Sequence, residues 1–169
     1  YSGNGIDNRA NYWGPNRHDR AFKLFKDAVD GNFLTHEYII QWVVRNLHAA
    51  DMNGYDVPFR GYYQNHPFGL IPIGETICRG TTASIFVAQG VREGEHPDNC
   101  IIWALSGNPF GAIATPLWVR AGSVPVEHDG QNAGRICNAA IFVKNWVIEN
   151  ASVNTFKLCN DNNTGYWDW

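Results

Sequence analysis

The sequence predicts an α+β domain in which an antiparallel sheet packs on helices. Two helical patterns come first in the chain, three strand-like runs follow without a helix between them, and one more helix closes the order. Segregated elements of this kind, rather than strict strand–helix alternation, are the signature of α+β architecture.

Residues 1–18 are rich in Gly and Asn around the aromatic pair Tyr12 and Trp13 and read as loop. Asp19 can cap a first helix running to about Val29, with Phe22, Phe25 and Val29 on one face at steps of three and four. Gly31 stops it. Thr35 caps a second helix to about Ala50, in which Ile39, Ile40, Val43, Val44 and Leu47 recur at helical spacing. Glu37 sits near the positive end of that helix. Residues 51–74 form a long Gly-, Pro-, Tyr- and Asn-rich connection, a length that marks an ordered or functional surface segment.

Strand patterns follow at 76–88 and 100–105, separated by the turn-forming residues 90–99, so the two pair as an antiparallel hairpin. Ser106 to Pro109 is the next turn. Residues 112–120 give a third strand, where Pro116 requires an edge or a bulge. The meander needs a cover for its apolar face, and the two early helices are the expected cover. Residues 134–149 form the last helix, with Ile136, Ala140, Val143 and Val147 as its stripe. The tail 159–169 is polar and aromatic, without a period.

The chain of 169 residues amounts to one domain or the C-terminal part of one, long enough to hide roughly 70% of its unfolded surface. A net charge of -3 with no basic stripe argues against nucleic acid as a partner. No apolar run approaches the ~18 residues of a membrane span. Lys occurs only at 23, 26, 144 and 157, against nine Arg and eighteen Asn. With seven Trp and seven Tyr, this composition is associated with secreted or periplasmic proteins. Cys78, Cys100, Cys137 and Cys159 permit two disulfides in three connectivities; the alternative is four buried thiols. Asn150 and Asn162 head two glycosylation sequons. The chain starts at Tyr1 without an initiating Met, which predicts a processed or partial chain.

Few residues suggest chemistry directly. The pairs His96 with Asp98, and Glu127, His128 and Asp129 in succession, match no zinc or calcium spacing, so no metal and no cofactor are expected. Ser84 and Ser106 lack a nucleophile-elbow pattern. Cys78 stands beside Arg79, a cation that can activate a thiol, but no His accompanies it, and a buried or oxidised Cys is the competing reading. Arg79 stands out, because at the start of an apolar strand an Arg needs an anionic or carbonyl partner unless it turns to solvent.

Three segments carry a family resemblance. They are TICRGTTASIFVAQG from Thr76 to Gly90, continued by VREGEHP to Pro97, then IWALSGNP from Ile102 to Pro109, and TPLWV from Thr115 to Val119. Together they resemble the C-terminal half of the N-terminal-nucleophile linear amide C–N hydrolases, a family that includes choloylglycine hydrolases, penicillin acylases and penicillin acyltransferases. The segment NRHDR from Asn16 to Arg20 is similar to that family's lead-in. The likeness spans roughly residues 9–125.

This resemblance implies a four-layer αββα sandwich and hydrolysis of a small amide. The nucleophile would be an N-terminal Cys, whose own α-amine serves as base. It implies that Arg79 is the family's Arg near the reacting centre. It also implies an oxyanion-holding or substrate-binding Asn upstream, with Asn4, Asn8 and Asn11 all open. Residue 1 is Tyr, so the nucleophile would have to come from a second polypeptide, and this chain alone should not catalyse. The competing expectation is a non-enzymatic secreted module, glycan-binding or structural, in which Trp and Tyr faces stack on sugars.

Overall fold

A computed structural model describes residues 15–47, 70–130 and 134–158. The elements run α1 (Pro15–Asp30), α2 (His36–Tyr38, continuing as a wider π-helical turn over Ile39–Val43), β1 (Leu70–Pro72), β2 (Ser84–Gln89), β3 (Ile101–Ser106), β4 (Ala114–Trp118), α3 (Arg135–Val147), β5 (Ile148–Glu149), β6 (Ser152–Asn154) and α4 (Thr155–Leu158). The chain is thus mixed α and β, with an antiparallel meander in the order β2–β3–β4 and a second small sheet in the order β1–β6–β5.

α1 begins five residues earlier than Asp19 capping predicts. Proline takes its first position, where a fixed φ suits the helix and the missing N–H is no loss. At its end Asn32 adopts a left-handed φ of 55°, and Phe33 N–H donates to the Ala28 carbonyl at 2.9 Å. The stop is therefore made at Asn32, one residue after the predicted Gly31. α2 starts as expected: the Thr35 hydroxyl accepts from Tyr38 N–H at 3.2 Å. The helix then widens, Val44 N–H donating to Ile39 O five residues back at 2.9 Å. The regular helix ends at Val43; residues 48–50 of the predicted span lie outside the described residues.

The meander's register is Phe86 opposite Ala104 and Ala104 opposite Thr115, with Val87–Trp103–Pro116 the neighbouring row. Strand side chains alternate between faces. Ile85, Val87, Trp103, Leu105 and Ala114 form the inner face and pack with Ile39, Ile40 and Val44 of α2, Ala112, and Ala140 of α3. The cover is therefore α2 and α3. α1 does not supply it: Ala28 is buried, whereas Phe22, Phe25 and Val29, predicted to face the core, are exposed. The spacing was helical, but the stripe is turned outward.

The predicted first strand is half right. β2 occupies only Ser84–Gln89, and 76–83 is turn, because Asn108 and Thr82 take up its backbone groups, as described below. Pro116 sits in β4 at the sheet edge, as its missing N–H requires. The small sheet was not foreseen. Its β5–β6 hairpin turns on Asn150 (φ 47°) and Ala151 (φ 58°), and the Ala151 carbonyl accepts from Ile73 N–H at 2.9 Å. Two successive left-handed residues define a two-residue hairpin turn whose twist matches the strands.

A second core gathers Leu47, Ile73, Cys78, Phe110, Val147, Val153 and Leu158. α3 spans both cores, giving Ala140 to one and Val147 to the other. The turn after β3 is pressed against α3. A Cβ on Gly107, which has φ +89°, would lie 2.7 Å from Ala140 Cβ, and one on Gly111 would lie 2.7 Å from Val143 Cβ. Cys78, Cys100 and Cys137 are free thiols, so no disulfide joins the described residues; Cys159 lies outside them. The disulfide expectation gains no support.

Candidate functional site

The segment 73–82 is anchored in the second core by Ile73 and Cys78 and is fixed between them and Thr82 by polar contacts to the main chain. Cys78 N–H donates to the Asn46 carbonyl at 3.0 Å. The Thr76 hydroxyl lies 2.9 Å from Ile73 O and 2.8 Å from Cys78 O, so its single proton alternates between two carbonyls. Arg79 N–H donates to the Thr82 hydroxyl at 3.2 Å, and Thr82 N–H returns to Arg79 O at 3.0 Å, closing a tight turn over 79–82.

Asn108 is the junction. It is buried in the turn after β3, and its amide N–H groups donate to Arg79 O and Thr82 O, each at 2.9 Å. Its carbonyl oxygen accepts from Phe110 N–H at 3.1 Å and from the Cys78 thiol at 3.7 Å. Arg45, at the end of α2, donates to Pro109 O at 3.1 Å and to Ala112 O at 2.6 Å, holding the same turn from the other side. Sequence reading took Ser106 to Pro109 as a turn and missed Asn108 and Arg45. Gly-Asn-Pro between apolar strands was the available signal for Asn108. Nothing local marks Arg45, because its carbonyl acceptors lie more than sixty residues away.

Arg79 therefore has a rigid backbone and an exposed side chain, with no ion pair among the described residues. The desolvation argument for its needing a partner does not operate, since β2 begins at Ser84 and Arg79 lies outside the apolar strand. Its neighbour Cys78 is inert. Burial pushes the thiol up to about 12, and the Phe110 backbone and the Arg45 charge oppose that only in part. Of the two readings of Cys78, the buried thiol holds: the protein interior outweighs the cation next door.

Asn4, Asn8 and Asn11 lie outside the described residues. His96 and Asp98 form an exposed pair at 3.4 Å in a surface turn. Among the described residues no three metal-ligating side chains gather. One buried polar atom near the junction has no partner among the described residues: Oε2 of Glu75, next in sequence to Gly74, whose carbonyl Arg17 reaches at 3.4 Å. No described helix is long and apolar enough to cross a membrane.

The outer face of the meander completes the site's surroundings. By alternation from the inner row, it carries Phe86, Ala88, Ile102, Ala104 and Leu117 together with the hydroxyls of Ser84, Ser106 and Thr115. Phe86 is 65% exposed and Ile102 40%, and Ile113, just before β4, is 63% exposed. No charged residue interrupts this face.

No family model matches the chain, and neither does any curated protein or solved structure.

Proposed function

We propose that this chain is the C-terminal part of a secreted amidohydrolase that cleaves a linear C–N amide bond, with an N-terminal nucleophile, a Cys by resemblance, supplied by a second polypeptide. The observation that carries the reading is the two-sided character of the meander. One face is packed on α2 and α3; the other carries no charge, and Phe86, Ala88 and Ile102 on it are exposed although Ala104 among them is buried. Soluble proteins rarely leave such a face open unless something docks there. A second sheet laid on it would make the inner pair of layers of an αββα sandwich.

In this reading Arg79 supplies charge-assisted hydrogen bonds to the substrate or to a carboxylate at the junction of the two polypeptides. Such bonds are roughly twice as strong as neutral ones. The exposure of its guanidinium, on a backbone fixed by Asn108 and Thr82, leaves it available to a partner. The nucleophile is not Cys78, whose thiol stays protonated.

The decisive experiment is native mass analysis of material from its source, with N-terminal sequencing of whatever accompanies the 19.0 kDa chain. The reading expects a second polypeptide beginning with Cys, Ser or Thr, and amide hydrolysis by the pair but not by either alone. In the pair, Arg79→Ala and Arg79→Lys should both lower turnover by ~10²-fold, since Lys keeps the charge but lacks the planar fork. A 19.0 kDa monomer that is stable, soluble and without companion overturns it.

A further inference from the structure

Ser106 is the last residue of β3 and is partly buried; its hydroxyl oxygen lies 3.1 Å from Nδ1 of His128. His128 ends the short turn Val126–His128, one of the acidic-and-histidine stretches that the metal reading leaves without a role. That turn is pressed on the start of α3: a Cβ on Gly134 would lie 2.4 Å from Glu127 O and 2.8 Å from His128 Cα. On the Ser106 side, a Cβ on Gly107 would lie 3.1 Å from Cys137 O. The hydroxyl and the imidazole therefore come from segments that touch the first turns of α3 from two directions.

Two further features bear on chemistry at this pair. α3 has 13 residues and no side-chain cap at Gly134; Asn138 N–H makes its bond to Gly134 O at 3.0 Å, so the amides of 135–137 have no acceptor within the helix. Its positive end favours negative charge developing nearby. Nε2 of His128 is buried and has no hydrogen-bond partner among the described residues.

We propose that Ser106 and His128 form a nucleophile–base pair that accepts acyl groups from small esters. The Ser106 oxygen attacks the ester carbonyl carbon, and its proton passes to His128 Nδ1. When the tetrahedral intermediate collapses, the carbon–oxygen bond to the alcohol breaks. The Nδ1 proton leaves with the alcohol, and an acyl ester remains on Ser106. Water repeats the sequence, giving a proton to Nδ1 as it attacks; the acid departs and the proton returns to Ser106. This requires the tautomer with its proton on Nε2 and its lone pair on Nδ1, facing the hydroxyl. The centre lies wholly within this chain and goes beyond the amidohydrolase reading, since it needs no second polypeptide.

The test uses the purified chain, a fluorophosphonate probe mapped by peptide mass, and p-nitrophenyl acetate hydrolysis. The expected result is a probe adduct on Ser106, with p-nitrophenol release at least tenfold lower in Ser106→Ala and in His128→Gln. Glutamine can keep a hydrogen bond to the hydroxyl but takes no proton, so a merely structural role for His128 would leave labelling intact in that variant and overturn the proposal. An adduct elsewhere, or none, overturns it as well. The adduct map on the unaltered chain decides the matter even where a variant fails to fold. Failure here leaves the two-polypeptide reading untouched, because that reading is judged by the companion chain and by amide turnover.

Discussion

Asn108 uses every hydrogen-bonding position its side chain has, and each bond reaches a segment that would otherwise be loop. Replacing it by Ala strips the half-buried carbonyl of Thr82 of its amide donor and weakens the hold on Arg79. An unsatisfied buried group costs about 1–3 kcal/mol. Asn108→Ala is therefore expected to lower stability by about 2–3 kcal/mol, read as a lower urea midpoint at unchanged slope. Cys78 makes a second residue-level prediction. Its thiol ionises near 9.0 when unfolded and is pushed up to about 12 by burial when folded. Above pH 9 the unfolded chain holds fewer protons than the folded one, so stability is level below that pH. It then falls by roughly 1.4 kcal/mol per pH unit toward pH 12. Urea unfolding of the unaltered chain and of Cys78→Ala at pH 8 and pH 10.5 should show the difference between them changing in that direction. A native thiol titration at pH 8 should leave Cys78 unreacted.

At the scale of elements, α1 separates pattern from placement. Its i, i+3, i+7 stripe is real, yet Phe22 is 64% exposed while Ala28 is fully buried, and the Lys23–Asp27 and Lys26–Asp30 pairs only decorate its surface. Phe22→Ser is therefore expected to change stability by less than about 0.5 kcal/mol. Ala28→Phe should destabilise by about 1–3 kcal/mol or more through overpacking. The opposite ranking in thermal melts would place the stripe inward. The β5–β6 turn carries a different strain. Ala151 holds φ 58°, a conformation that costs roughly 1 kcal/mol for a residue with a Cβ. Ala151→Gly relieves that cost and gives back part of it in unfolded-chain entropy, so a net gain of about 0.5 kcal/mol is expected in a denaturant melt.

The whole molecule is defined by what its meander leaves uncovered. If the outer face is a docking surface, a charge placed there should spare the fold and abolish association. Phe86→Lys, at a position already mostly in water, is expected to leave the melting temperature of the isolated chain within a degree or two. In sedimentation of the assembled material it should release the companion polypeptide. Unfolding of the isolated Phe86→Lys chain would mean that the face belongs to this chain's own core.

What the sequence determined alone is local. Thr35 caps its helix because the hydroxyl and the amide it serves lie three residues apart. The strand order 2–3–4 follows from apolar runs joined by turn residues, and Pro116 called for an edge or a bulge. The α+β class was legible for the same reason: periodicity and turn chemistry act over a few residues. Tertiary structure decided the rest. It turned the α1 stripe outward and shortened β2, because Asn108 and Thr82 claimed the backbone of 79–82. It also built the second sheet from β1 and β6, some eighty residues apart. It decided between the two readings of Cys78 in favour of the buried thiol, because desolvation sums over the whole surroundings of a group while sequence shows only the residues beside it. The Ser106–His128 contact, twenty-two residues apart along the chain, is visible only where the fold has already been closed.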